Sequence, residues 1–199
     1  MQNQSPISLE RKSPLLLTGI LLEIIKNFFK LEEGKFKYDP IDPVASKLII
    51  EPAYLFTPDN CQNRPGIFVR REPLGYFKPR VGIDDAYSYN PIENSKGDLI
   101  EYAIMGDIAF SVLCVGKEPG EVEQLAAKAT DVLIYYSPII RREFIFKIFR
   151  VQEIGALSQL EEHKEFWMTP ISLYATFSEN WTIKQAAPPL NEILFTSKC

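Results

Sequence analysis

Residues 99–115 read LIEYAIMGDIAFSVLCV. The even positions are Ile100, Tyr102, Ile104, Gly106, Ile108, Phe110, Val112 and Cys114, while the odd ones include Glu101, Asp107 and Ser111. Apolar residues at every second position put one face of a β-strand against a core and the other toward a more polar setting. The alternation lasts for 17 residues, well beyond the roughly 5–6 of an average strand. Either Gly106 bends it into two, or one long strand projects beyond its domain.

Working outward toward the C-terminus, Gly116 to Gly120 is a turn. Val122, Leu125, Ala126, Ala129, Val132, Leu133 and Tyr136 then recur at helical spacing. They predict an amphipathic helix over about 121–136, with Glu121 and Glu123 in a first turn that favours negative charge and Pro138 as its stop. Strands are expected over about 144–154 and 166–177, the second extended by Trp181 to Lys184, with a polar loop at 156–165 between them. A tail begins at Pro188-Pro189 and carries Leu190, Ile193, Leu194 and Phe195.

Toward the N-terminus, Ser13-Pro14 opens a helix that runs to about Lys30, and Gly34 ends it. Apolar residues lie on nearly every side of it (Leu15, Leu16, Leu17, Ile20, Leu21, Leu22, Ile24, Ile25, Phe28, Phe29). A helix of this kind is covered on more than one face, by its own domain or by another subunit. Glu23, Lys26 and Asn27 interrupt it, so it falls short of the ~18–20 apolar residues that cross a bilayer. No small-residue cleavage site follows, so it is not read as a signal peptide. Residues 47–50 and 53–56 are expected to be two short strands, or one strand broken at Pro52. A hairpin is expected over 66–81, with Glu72 to Gly75 as its turn. Residues 84–98 are polar and read as an exposed loop.

The fold class is therefore α+β: one mixed, mostly antiparallel sheet with two helices packed on one face. Residues 1–12 form a flexible arm, 13–187 a single domain with a hairpin and loop insertion at 66–98, and 188–199 a C-terminal arm. The 199 residues, 46% hydrophobic and 24% charged, suffice for a core without disulfide or metal staples. A net charge of −4 argues against holding nucleic acid by general basicity.

Chemistry-bearing motifs are few. Three scattered cysteines (61, 114, 199) have no metal spacing, and the single histidine, His163, sits in a charged run that reads as a solvated loop. There is no phosphate-loop motif. Gly116 to Gly120 lies where such a loop would sit, yet it places Glu118 and Glu121 where a phosphate would bind, so it reads as a turn. Paired acids at Glu32-Glu33, Asp84-Asp85 and Glu161-Glu162 read as solvated, and Asp39 and Asp42 as turn formers. No catalytic residue, metal site or cofactor is expected. Should the chain be an enzyme with an unrecognised site, Cys61, in a polar loop, or Cys114 would be its nucleophile; Cys114 lies on the apolar face of the long strand and reads as core.

Several segments together resemble one family. They are Arg64-Pro65-Gly66-Ile67-Phe68-Val69-Arg70-Arg71, the long strand with Gly106 and Ile108 to Val112, and the helix Glu121-x-Glu123-Gln124-Leu125-Ala126. Val151-x-Glu153-Ile154-Gly155 and a last strand ending at Trp181 complete the pattern. It is similar to the tail terminator (tail completion) proteins of long-tailed bacteriophages over about residues 13–187. The resemblance implies a non-enzymatic virion protein that forms a homohexameric ring. Such a ring caps the tail tube protein and presents a surface to the head-tail connector or neck protein, while phage DNA passes through its lumen without specific contacts. It implies assembly in the host cytoplasm, a final place in the tail or neck, and no membrane. The 84–98 loop and the tail after Pro188 depart from the shortest members, which keeps another neck or tail tube component open as the role.

Interface residues are expected where aromatics accompany arginine and lysine, a composition enriched at interface centres. These are Phe68, Arg70, Arg71, Tyr76, Phe77, Lys78 and Arg80 in the hairpin. Leu190, Ile193, Leu194 and Phe195 in the C-terminal arm join them, as do the residues of the N-terminal arm.

Overall fold

The computed structural model describes residues 7–9, 14–42, 44–77, 90–92, 99–143 and 146–184. They fall into two units. The larger, residues 12–77 and 105–178, holds both helices and a mixed open sheet. The smaller comprises residues 1–11, 78–104 and 179–199.

In the larger unit, α1 spans Pro14–Leu31, β2 Ile49–Pro52 and β3 Gly66–Phe77. β5 (Leu99–Gly116), α2 (Pro119–Glu143), β6 (Phe146–Ile154), β7 (Ser158–Gln159) and β8 (Trp167–Lys184) follow, residues 99–104 of β5 and 179–184 of β8 being counted with the smaller unit. The sheet order is β8-β5-β3-β2, with β6 and β7 also paired to β8. β2 runs parallel to β3; β3 with β5, β6 with β8, and β7 with β8 are antiparallel. The mixed, mostly antiparallel α+β class is as the sequence indicates.

Side-chain alternation builds the core. Ile67 and Val69 of β3, Ile108, Phe110, Val112 and Cys114 of β5, and Ile171, Leu173, Ala175 and Phe177 of β8 share one face. Leu17, Leu21, Ile25 and Phe29 of α1 and Leu125, Ala129 and Leu133 of α2 pack on that face. α1 lies over β2 and β3 and α2 over β6. Phe28 and Tyr136 meet edge to face at 6.2 Å, and Glu32 pairs with Lys128, where the helices touch. Gly34, three residues beyond α1, has φ +135°, a backbone conformation that glycine adopts readily.

β5 is one strand. Gly106 does not divide it, and a Cβ at that position would lie 2.6 Å from the Phe177 ring. On the opposite face, Ile49, Cys61, Phe68, Val115 and Phe166 form a second, smaller cluster. Two 3₁₀ turns, Ala53–Leu55 and Pro58–Cys61, lie on the connection from β2 to β3 and bring Ala53, Phe56 and Cys61 to it.

Several expectations are corrected. Glu72 to Gly75 is not a hairpin turn. β3 continues to Phe77, and Glu72 and Pro73 form a bulge opposite β5 between Arg71 and Leu74. A bulge tolerates the proline's missing N–H. Residues 66–77 are thus a central strand rather than an insertion. The expected strand at 53–56 is instead the 3₁₀ turn Ala53–Leu55, with Phe56 following it. Pro138 does not close α2, which runs on to Glu143. The hydrogen bond it forfeits would go to the carbonyl of exposed Ile134, while Ile140 beyond it is buried.

In the smaller unit, Ile7–Leu9 (β1) pairs antiparallel with Trp181 to Ile183 of β8. Those three residues of the arm are therefore strand. Asn90–Ile92 (β4) pairs with Leu99 to Glu101 of β5, so the 84–98 segment is not wholly loop. The remaining arm residues, the rest of 78–98 and the C-terminal arm lie outside the described residues.

Candidate functional site

The residues nominated for an interface do not form one surface. Phe68 is 1% exposed and stacks edge to face on Phe56 at 5.0 Å. It belongs to the protein's own second cluster and cannot face a neighbour; odd-even alternation on β3 puts it opposite Ile67 and Val69. Arg70 and Arg71 are exposed and, as strand neighbours, point to opposite faces. Arg70 pairs with Glu72 at 2.9 Å, and Glu72 also accepts from the Ser111 hydroxyl at 3.1 Å. The Arg71 guanidinium donates to the Glu72 carbonyl at 3.2 Å. Tyr76 and Phe77 sit in β3 opposite Gly106 and Met105. Lys78, Arg80, Leu190, Ile193, Leu194 and Phe195 lie outside the described residues.

The thiols are poor candidates for nucleophiles. Cys61 is buried rather than exposed, because its 3₁₀ turn folds onto β3. Burial pushes its thiol up to about 12, with nearby Arg64 offsetting only part of this. Cys114 is fully buried in the main core, and desolvation raises it further. A thiol held in this way stays protonated at neutral pH and attacks slowly. His163 is half-buried, and its backbone carbonyl accepts the Phe166 N–H at 2.9 Å in a turn.

A cleft of about 920 Å³ lies around Cys61 and the connection from β5 to α2. Its cations are engaged within the protein. Lys35 pairs with Glu121 at 3.1 Å, Arg64 donates to the Ser46 carbonyl at 3.0 Å, and Lys47 to the Gly34 carbonyl at 3.3 Å. Lys117 donates to the Gln62 side chain. The Glu118 carbonyl accepts the Glu121 and Val122 N–H groups at 3.1 Å each. The expected turn over 116–120 is shorter than that: Gly116 ends β5, Pro119 and Gly120 already belong to α2, and only Lys117 and Glu118 connect the two. Asp39 accepts from the Ile41 and Asp42 N–H groups at 2.9 and 3.1 Å, which lowers its pKa. Asp42 likewise accepts from Val44 and Ala45. Among the described residues no group of three or more His, Cys, Asp or Glu could hold a metal, and no helix is long and apolar enough to cross a membrane.

The feature that sequence reasoning did not locate is a surface at the start of α1. Leu15, Leu16, Tyr54 and Leu55 are exposed there, Leu15 by 73% and Tyr54 by 76%. A groove of about 820 Å³ runs beside them, between α1 and the end of β2. The signal was the excess of apolar residues around α1; what hid the place was that Tyr54 and Leu55 read as a strand. A second set, Ile134, Tyr135 and Ile139, is exposed on α2. Neither a family model nor a curated protein matches this chain.

Proposed function

We propose that this chain is a structural protein of a phage virion, a tail terminator. It forms a homohexameric ring that caps the tail tube at full length and joins it to the head connector. The observation that carries the reading is the exposed apolar surface of α1 and the turn beyond β2 (Leu15, Leu16, Tyr54, Leu55). A helix whose inner face is already buried gains nothing in a monomer from leucines on its outer first turn, whereas a subunit contact covers them. Arginine beside the surface and the order of helices and strands that carries the resemblance support the same assignment. In this role the chain carries no chemistry. Its buried thiols and internally engaged cations serve the fold, and its net negative charge suits a lumen that DNA crosses without adhering.

The test is genetic. A phage unable to make this protein is expected to leave unjoined heads and tails whose tubes vary in length, and expression in trans is expected to restore joined virions. Full-length, joined tails in the absence of the protein contradict the proposal.

A further inference from the structure

The groove at the start of α1 has a structural cause. β2 ends at Pro52, opposite Val69, while β3 continues to Phe77. Among the described residues no strand pairs with β3 beyond Val69 on that side, and the first turns of α1 face this stretch across the groove. Leu15, Gly19 and Leu22 of α1 line the groove, with Pro52 and Tyr54 beyond β2 and Arg71 of β3. A Cβ on Gly19 would meet nothing within 4 Å. Glycine inside a helix is less favourable than alanine, and a side chain at this position would take up space in the groove that Gly19 lines. The charges at its rim differ. Arg70 is taken by Glu72, while Arg71 contacts only a backbone carbonyl and has no carboxylate partner among the described residues.

Such a groove suits an extended apolar segment that carries one acid. The chain contains one: Leu190-Asn191-Glu192-Ile193-Leu194-Phe195, set off by Pro188-Pro189. The geometry points to this segment of a second copy as the groove's occupant, with its apolar side chains between α1 and Tyr54 and Glu192 against Arg71. One groove and one tail per copy make a heterologous contact, the kind that closes into a ring when its rotation permits. The inference rests on the self-association proposed above and not on the tail tube as partner.

Disulfide trapping in the full-length chain tests it. Cys61 and Cys114 are each 1% exposed or less and do not compete. The chain carries Cys199→Ser and Thr196→Cys in the tail and Leu55→Cys beside the groove, outside its lining. Mild oxidation is expected to give a ladder of interchain dimers and higher species on a non-reducing gel. Gly19→Trp, which fills the groove from its open side, is expected to reduce the ladder at least tenfold with the melting temperature kept. Arg71→Glu is expected to weaken it, and Glu192→Arg in the same chain to restore it. Should Gly19→Trp misfold, the charge pair alone carries the test. A product with only an internal disulfide means that the tail occupies its own groove and overturns the inference. So does the absence of any product, a ladder insensitive to Gly19→Trp, or a ladder that the charge reversals leave unchanged. Tail tube capping is a separate measurement: its loss with an intact ladder overturns the terminator reading and leaves this contact standing.

Discussion

The two faces of the larger unit's sheet are made by the same strands and are built in different ways. On one, alternate residues of β3 from Ile67 to Val69, of β5 from Ile108 to Cys114 and of β8 from Ile171 to Phe177 are buried beneath two helices. On the other, apolar packing is confined to the cluster around Phe68 and Phe166. Beyond it stand Arg70, Glu72 and Ser111, bonded to one another, and exposed Arg150, whose guanidinium lies 5.5 Å from the Tyr174 ring centre. The first face carries stability through buried apolar area. The second carries polar groups whose interactions with solvent nearby are individually weak. If this division holds, substitutions should fall into two classes of effect.

Leu125→Asp should have the largest. Leu125 is 0% exposed, so the change removes roughly 1.5–3 kcal/mol of apolar burial and adds a buried charge. Little soluble protein is expected. Normal yield with an unchanged melting temperature would put the wrong side of α2 against the sheet.

Gly106→Val is next. Its side chain enters the space of the fully buried Phe177 ring, an overpacking that costs about 1–3 kcal/mol. A thermal melt should show a drop of several degrees. No change would mean that the two strands part there more easily than a packed core allows.

The buried thiols sharpen the comparison by pH, one from each face. The Cys61 thiol is raised from 9.0 to about 12, and Cys114 is raised as well. Below pH 9 both states are protonated and stability does not depend on these groups. Between pH 9 and 12 the unfolded thiols ionise and the folded ones do not, so stability falls as pH rises. Urea midpoints across that window should decline less in Cys61→Ala than in the parent chain. An identical decline in both would show that Cys61 is not held away from water.

Arg150→Ala should have the smallest effect, about 0.5–1 kcal/mol for an exposed cation over an aromatic ring. A loss as great as that of Gly106→Val would show that the two faces are built alike.

Much of this division was legible beforehand, and the reasons are local. β5, α2 and β8 announce themselves because their alternation or helical stripe records which side is buried. Where local chemistry competes with tertiary context, the sequence misleads. Pro73 and Gly75 look like a turn, yet a bulge keeps them in β3. Pro138 looks like a stop, yet burial of Ile140 and the Ser137 hydroxyl's bond to the Phe149 carbonyl at 2.8 Å hold the helix beyond it. Cys61 sits among polar neighbours, yet its 3₁₀ turn faces inward. Strands of three residues, β1 and β4, are set by their partners rather than by their own pattern. The candidate surface was legible only as an excess of leucine on α1. Its location depends on where β2 ends, and no periodicity within α1 records that.

The central claim is that this chain self-associates on the end of a tail tube. Purified chain mixed with assembled tail tubes and viewed by negative stain tests it most directly. A ring of six copies at one end of each tube is expected, whether the free chain is a ring or a monomer. A chain that stays monomeric and leaves both tube ends bare contradicts it.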